Sequence, residues 1–159
     1  MDNQKKANLT DYLTSVVQIG FVTEDLDKVM AGMRRIFKLE PDTYFENTFT
    51  DTFFRGEIIN VSARIANYDY FGTQLEFIQP TCDKSIWTDY INEGPHHGHS
   101  IHHVRFTDVD NNQDITDIME SLGIEKYQEV KSFVHPGGLG TYYDTVEELG
   151  FLVEVVTKA

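Results

Sequence analysis

Three polar side chains interrupt strand-like stretches of the sequence that are otherwise apolar. Gln18 lies within SVVQIGFV, Glu76 within TQLEFIQ and Glu154 within FLVEVVT. A carboxylate surrounded by apolar residues is costly to bury unless it is paired or bound to a cation. The alternative is that each residue lies on a wet sheet face, which is common in antiparallel sheets. One amide oxygen and two carboxylates are hard ligands, suited to a divalent ion with five or six ligands.

An imidazole comes from the stretch HHGHSIHHVRF, residues 96–106, which holds five of the six histidines. Because side chains alternate between the faces of a strand, His102 and His103 point in opposite directions. The segment HVRFTDVDN, from His103, aligns with QIGFVTEDL, from Gln18, and FLVEVVT aligns with TQLEFIQ. This internal repeat selects His103 for the site and leaves His102 as a packed or supporting residue. The remaining histidines of the stretch are expected in an exposed loop: His96, His97 and His99.

Two structural units with the same order of strands and helix would position these side chains. Each half of the sequence predicts a strand, a helix with apolar residues at helical spacing, and three more strands. The segments are 14–23, 24–40, 44–53, 57–67 and 73–79, then 100–108, 111–123, 125–134, 140–145 and 151–157, with a short linking helix at 82–94. We therefore expect an α+β domain. Its parts are a flexible tail (1–13), a βαβββ module (14–80), a linker helix and loop (81–99) and a second βαβββ module (100–159).

The formal net charge of −13 excludes several classes of partner. Such a charge repels nucleic acids and anionic membrane surfaces, so we expect neither as a partner. Cys82 is the only cysteine, which rules out an internal disulfide. No apolar stretch approaches the roughly 18 residues of a membrane-spanning helix, and the first residues lack the apolar core of a signal peptide. A cytoplasmic protein that acts on a small molecule is expected.

These segments together resemble the vicinal oxygen chelate superfamily, which includes glyoxalase I and methylmalonyl-CoA epimerase. VVQIGFVTEDLDKVM is similar to the family's first strand and helix, and SIHHVRFTDVD to the opening of its second half. GGLGTYYDTVEELGFLVEVV resembles the segment with the last metal ligand, and WTDYINEGPHHGHSIHHVRF is most similar to the epimerase branch. The resemblance implies a glyoxalase-like fold, in which two βαβββ modules form a cupped, half-open mixed β-sheet barrel.

The resemblance also implies a chemistry for the polar residues. One divalent ion (Zn, Ni, Co or Mn) is expected on the floor of the cup, with four ligands: Gln18, Glu76, His103 and Glu154. The ion would act as a Lewis acid while a carboxylate abstracts a proton next to a metal-bound carbonyl. Glu154 is the expected base, and Glu76 could act from the opposite side. An epimerase needs bases on two faces, so Glu46 or Asp51 could supply a base that is not a ligand.

Arg105 shares its strand face with His103 and is expected to point into the cup. Its guanidinium could hold a substrate carboxylate through two hydrogen bonds, or it could form a structural ion pair with Glu76 or Glu154.

The activity that the resemblance implies is that of an isomerase, epimerase or lyase, of the methylmalonyl-CoA epimerase or lactoylglutathione-lyase type. A homodimer is expected from the same resemblance. The alternatives are a non-catalytic small-molecule binder of the drug-resistance type and an iron-dependent extradiol-type dioxygenase. The dioxygenase is disfavoured because Gln18 replaces the first histidine of its two-histidine, one-carboxylate site.

Overall fold

The computed structural model describes residues 8–94 and 100–158. In that part of the chain there are eight strands and four helices, and all of them except the last helix follow the predicted order. They are β1 (Val16–Val22), α1 (Leu26–Phe37), β2 (Thr43–Phe54), β3 (Glu57–Tyr70), β4 (Thr73–Pro80), α2 (Ile86–Glu93), β5 (His103–Phe106), α3 (Gln113–Ser121), β6 (Lys126–Lys131), β7 (Leu139–Tyr143), α4 (Val146–Leu149) and β8 (Leu152–Val156). Helix α4 was not predicted. The expected loop with His96, His97 and His99 lies outside the described residues.

The strands form one ring in the order β1-β4-β3-β2-β6-β7-β8-β5. Within each module the first strand runs parallel to the fourth, so β1 pairs with β4 and β5 with β8. The modules meet at two seams. Strands β1 and β5 pair antiparallel through four residue pairs, whereas β2 and β6 share only two. The structure confirms the mixed sheet of two βαβββ modules. The barrel predicted as half-open is closed, although its β2–β6 seam is short.

Helix α1 covers the outside of the first module. The Asp25 side chain caps its start by accepting a hydrogen bond of 3.0 Å from the backbone N–H of Lys28. The helix ends at Lys38, whose backbone is left-handed. Leu26 and Met33 are buried against β3 in one apolar cluster. This burial fixes the helix to the back of the sheet and leaves the inner face of the sheet free to form the cup.

Helix α3 covers the second module in the same way, with Ile115 and Met119 buried against β7 and β8. A short 3-10 turn at Leu9–Asp11 precedes β1, and Leu9, Tyr12 and Leu13 pack against this same cluster. The last residues of the expected tail (1–13) therefore contribute apolar side chains to a core cluster, while residues 1–7 lie outside the described part of the chain.

The inner face of the ring carries the largest apolar cluster. Phe49, Ile65, Ile78 and Val130 project from four different strands, and Trp87 of α2 packs among them. Together they form the apolar part of the cup wall. None of the helices in the described part of the chain is long and apolar enough to span a membrane.

Candidate functional site

The four polar side chains singled out from the sequence come together on the floor of the cup. The Nε2 atom of His103 lies 3.3 Å from the Gln18 Oε1, 3.3 Å from a Glu76 oxygen and 3.3 Å from the Glu154 Oε2. All four residues are buried. Gln18 and Glu76 lie on the parallel pair β1–β4, and His103 and Glu154 lie on the parallel pair β5–β8. Because β1 also pairs with β5, the two module floors meet at this point.

A glycine makes room for the imidazole at this junction. Gly20 is opposite His103 in the β1–β5 ladder and opposite Glu76 in the β1–β4 ladder. A Cβ atom at Gly20 would overlap the His103 ring, so any larger residue would displace the imidazole. Gly20 was not among the residues predicted for the site, although a glycine inside a strand often marks a close approach of another group.

Two hydrogen bonds, one to a residue outside the cluster and one within it, orient the Gln18 amide. Its Nε2 donates to the Gln74 Oε1 at 2.5 Å and to the Glu76 Oε2 at 3.3 Å. Because both acceptors lie on the nitrogen side, the Gln18 Oε1 is the end that faces His103. Gln74 was not recognised in the sequence, since its role depends on the register of β1 against β4.

His102 was expected to be a packed or supporting residue, and it is fully buried beside the site. Its Nε2 lies 3.4 Å from the carbonyl oxygen of Ile86, and its Nδ1 lies 2.9 Å from the Nδ1 of His103. A carbonyl oxygen can only accept, so the hydrogen of a neutral His102 belongs on Nε2. His102 then accepts from the His103 Nδ1–H. This arrangement leaves the His103 Nε2 as the atom that faces three oxygens.

Burial dominates the electrostatics of the floor. Burial raises the pKa of Glu154, and the nearby Glu76 charge adds to the rise, whereas His103 and Arg105 oppose it. Burial alone would lower the pKa of His103, but the hydrogen bond to Glu76 and the charges of both carboxylates raise it. The Tyr142 hydroxyl, whose pKa is raised by burial and by the same carboxylates, hydrogen-bonds to Glu154. Both the carboxyl and the imidazole therefore hold protons more tightly than exposed groups do.

The two carboxylates differ in how their oxygens are used. Glu76 accepts from Gln18 through Oε2 and contacts His103 through Oε1. The Oε2 atom of Glu154 is buried and has no hydrogen-bond partner among residues 8–94 and 100–158, although it lies 3.3 Å from His103. A buried carboxylate oxygen without a partner costs free energy unless a cation or a ligand satisfies it.

The types of donor in this set suit a divalent ion. Neighbouring ligand atoms of an octahedral ion with bonds of about 2.1 Å lie about 3 Å apart, close to the separations around the His103 Nε2. Within residues 8–94 and 100–158, no group of three or more His, Cys, Asp or Glu side chains is already arranged to hold a metal ion. Binding an ion therefore requires these side chains to reorient around it, with the Gln18 amide as a further ligand.

A cavity of about 810 Å³ opens above the floor. Arg105 lines it, as expected from its strand face, but its guanidinium pairs with Asp108 at 2.6 Å rather than with Glu76 or Glu154. Asp108 also contacts His135 at 2.6 Å. The structural ion pair considered for Arg105 thus exists with a different partner, and the binding of a substrate carboxylate by Arg105 stays a prediction.

The two carboxylates considered as bases that are not ligands do not line this cavity. Glu46 is exposed on the outside of the sheet and lies 3.3 Å from Arg64. Asp51 is exposed and pairs with Lys131 at 3.0 Å. Since neighbouring strand residues alternate between faces, Phe45 rather than Glu46 points into the cup.

No protein-family model matches the chain, and no curated protein matches it. Several solved structures match the chain in their fold. The methylmalonyl-CoA epimerase of Mycobacterium tuberculosis is 13% identical and aligns over 93% of this chain and 90% of its own, with a TM-score of 0.62. A variant of the Streptomyces coelicolor methylmalonyl-CoA epimerase, in complex with 2-nitronate-propionyl-CoA, is 19% identical over 92% and 96% of the two chains, with a TM-score of 0.59.

A protein of Bacillus halodurans C-125 described as hypothetical is 15% identical over 91% of this chain and 94% of its own, with a TM-score of 0.57. At these identities the likeness establishes the fold. The chain has the vicinal oxygen chelate fold of the epimerase structures, as the resemblance in sequence implied.

Proposed function

We propose that the chain is a metal-dependent enzyme that moves a proton on the carbon next to a carbonyl group, as an epimerase or isomerase, or as a lyase of the glyoxalase I type. The single observation that supports this most is the Glu154 Oε2, a buried carboxylate oxygen without a hydrogen-bond partner beside the His103 Nε2. At this point the proposed base lies among the proposed ligands of the ion. The epimerase names of the structural neighbours favour the same chemistry.

The proposed ligands of one divalent ion (Zn, Ni, Co or Mn) are Gln18, Glu76, His103 and Glu154. When bound, the ion supplies a Lewis acid that withdraws electrons from the substrate carbonyl. His102 holds the His103 imidazole by its Nδ1, and Gln74 holds the Gln18 amide by its nitrogen. These contacts direct the lone pairs of the His103 Nε2 and the Gln18 Oε1 toward the same point. Supporting contacts orient metal ligands in this way in other proteins.

Glu154 is the proposed base. Its Oε2 takes the proton from the substrate carbon and later returns it. Burial raises the pKa of this carboxyl, which makes its carboxylate a stronger base. The Tyr142 hydroxyl orients the carboxylate, and the apolar wall of the cup keeps water from the carbon that loses the proton. Glu76 is the proposed second carboxylate, acting from the first module.

A non-catalytic binder of small molecules is the second candidate. The cavity has a mainly apolar lining, and Phe45 stacks on Phe133 there with ring centroids 4.2 Å apart. Such a pocket could hold an apolar compound without chemistry. The dioxygenase alternative is disfavoured by the same floor, which brings one imidazole to the cluster where that reaction requires two.

Solvent exchange separates these functions. The chain, loaded with Zn, Ni, Co or Mn, is incubated in D₂O with α-keto hemithioacetals and acyl-CoA esters, and deuterium at the carbon next to the carbonyl is followed by NMR. The proposal predicts exchange that a chelator abolishes and that returns with the metal. Exchange that survives full metal removal, or no metal uptake at all, would leave the binder as the better account.

A homodimer and a cytoplasmic location remain predictions from the sequence. Light scattering of the purified chain at several concentrations tests the first, and fractionation of the source cells tests the second.

A further inference from the structure

The positive charges of the cup are already neutralised. Among the described residues that line the cavity, the cations are Arg105, Lys131 and Lys158. Each has an aspartate partner: Arg105 pairs with Asp108 at 2.6 Å, Lys131 with Asp51 at 3.0 Å and Lys158 with Asp110 at 3.5 Å. The two lysines are largely exposed, so these pairs are weak individually. No cation of the lining is left over to neutralise a ligand anion.

Carboxylates line the same cavity in larger number. They are Asp69, Glu76, Asp108 and Glu154. Only Asp108 is paired with an arginine there. An ion on the floor would offset Glu76 and Glu154, and each cation of the lining is offset by its own aspartate, so the charge of Asp69 leaves the described lining negative. With a formal charge of −13 on the whole chain, the field at the mouth repels anions.

Much of the remaining lining is apolar and aromatic. Phe49 lies beside Trp87 with ring centroids 6.0 Å apart, and Tyr142 contacts the edge of the same indole at 6.4 Å. Nearer the mouth, Phe133 and Val134 are 59% and 60% exposed although both line the cavity. Apolar side chains that stay accessible within a concave wall are typical of sites for apolar ligands.

We propose that the substrate is an uncharged carbonyl compound with an aromatic or bulky apolar substituent on the carbon that loses its proton. This inference rests on the proposed function, because it concerns the substrate of that reaction. It competes with the expectation that Arg105 holds a substrate carboxylate. A thioester of coenzyme A would place several phosphate charges near a negative rim, and such like-charge contacts weaken binding.

The reaction on such a substrate needs no further reactant. Glu154 takes the proton of the α-carbon on its Oε2, and the electron pair of the broken C–H bond forms the enol or enolate double bond. Return of this proton by Glu154 to the same face restores the substrate, whereas Glu76 in its protonated form donates a proton to the opposite face and inverts the carbon. Proton exchange with solvent then resets the two carboxyls. No atom or electron is gained or lost, so the product is the mirror-image or isomeric carbonyl compound.

Trp87 provides a direct probe of binding, because it is the only tryptophan in the chain and it lines the cup. The metal-loaded chain is titrated with (R)-benzoin, a neutral aromatic α-hydroxyketone with two neighbouring oxygens, and with methylmalonyl-CoA. Indole fluorescence is excited at its red edge, and calorimetry checks each affinity. We expect benzoin to bind more tightly than methylmalonyl-CoA by at least about tenfold. Equal or tighter binding of methylmalonyl-CoA, or no binding of benzoin, would overturn the inference.

Two pairs of surface substitutions test the charge argument. Asp51→Asn with Asp110→Asn frees both lysines of the lining, and Glu147→Gln with Glu148→Gln removes the same charge from exposed residues that do not line the cup. The first pair should improve the affinity for methylmalonyl-CoA by about threefold to tenfold and leave benzoin binding unchanged. The second pair should change neither affinity appreciably. Equal effects of the two pairs on methylmalonyl-CoA would contradict the role of the lining charges.

The binding titration and the deuterium exchange test the substrate class and the reaction separately. Benzoin that binds and also exchanges its α-proton with D₂O supports both. Benzoin that binds without exchange supports the ligand class and contradicts the proposed reaction. Exchange on methylmalonyl-CoA with tighter binding than benzoin supports the reaction and overturns the ligand class.

Discussion

The two modules share a topology but differ in what they bring to the floor of the cup. The first module contributes Gln18 and Glu76, which hydrogen-bond to each other. The second contributes His103 and Glu154, and Glu154 keeps one oxygen free of hydrogen bonds. The strands that follow differ as well, since β2 and β3 have 12 and 14 residues and β6 and β7 have 6 and 5. The first module provides the longer strands of the wall, and the second provides the proposed reactive group.

This difference indicates how a duplicated unit can divide its tasks. Equivalent strands place a carboxylate at the same depth in both modules, at Glu76 and at Glu154. A carboxylate whose two oxygens both contact other side chains has a fixed orientation, which suits a metal ligand. A carboxylate with a free buried oxygen and a raised pKa suits a base. The partners of each carboxylate, rather than its position in the repeat, therefore distinguish the roles.

The largest expected effect comes from exchanging the two carboxylates for amides one at a time. Glu154→Gln should lower the rate of α-proton exchange by about 10²–10⁴-fold, the usual contribution of a general base. Glu76→Gln should weaken metal binding and leave more of the exchange rate at saturating metal. The measurement is deuterium incorporation by NMR over a range of metal concentrations. Equal losses at saturating metal would show that the modules are not divided in this way.

The next effect concerns the glycine at the junction of the modules. Gly20→Ala should displace the His103 imidazole and weaken metal binding by about 10–100-fold, with a loss of about 1–3 kcal/mol in the free energy of unfolding from overpacking. Calorimetric metal titration and urea unfolding measure the two. Gly32→Ala is the matched control, because a Cβ there meets nothing within 4 Å. Unchanged metal binding in Gly20→Ala would remove His103 from the ligand set.

A smaller effect is expected from the tyrosine beside the base. Tyr142→Phe removes the hydrogen bond to Glu154 and should slow exchange by about tenfold. It should also move the acid limb of the pH–rate profile to higher pH, because that hydrogen bond lowers the pKa of Glu154. Tyr143→Phe is the control, since this neighbouring hydroxyl bonds to Thr116 at 2.7 Å on the other face. A profile that shifts equally in both variants would assign Tyr142 a structural role.

The pH dependence of stability should show the smallest effect and should change with the metal. The folded chain without metal holds protons on His103 and Glu154 more tightly than the unfolded chain, because both pKa values are raised. Its stability should therefore fall as pH rises from about 4.5 through and above 6.5, the usual values of these groups. A bound ion replaces those protons and should reverse the trend. Thermal unfolding from pH 4.5 to 8, with chelator or metal, measures this; a parallel course of the two curves would contradict it.

The four side chains on the floor of the cup could be predicted from the sequence because each differs in polarity from its neighbours along the chain. Glu154 stands out among five consecutive buried positions of β8, and the internal repeat then chose between His102 and His103. The order of strands and helices followed from periodicity in the same way. These features are properties of single segments, which a sequence displays directly.

The missed features are those that depend on register between segments. Gln74 reaches Gln18 only because their Cα atoms pair across β1 and β4, and Tyr142 reaches Glu154 through the pairing of β7 with β8. The pairing of Arg105 with Asp108, by contrast, joins residues three positions apart and could have been considered from the sequence. A polar residue in an apolar segment can be recognised from the sequence alone. Its partner on a neighbouring strand can be identified only when the pairing of the strands is known.

Side chains from both modules should hold one divalent ion, and a titration with cobalt measures this binding without any substrate. The metal-free chain is titrated with Co²⁺ while visible absorption and heat are recorded, together with His103→Gln and the control His135→Gln, whose histidine contacts Asp108 rather than the floor. We predict one Co²⁺ per chain with the weak absorption of a five- or six-coordinate ion, retained in His135→Gln and lost in His103→Gln. Absence of saturable binding, or equal binding by the wild type and His103→Gln, would contradict the account.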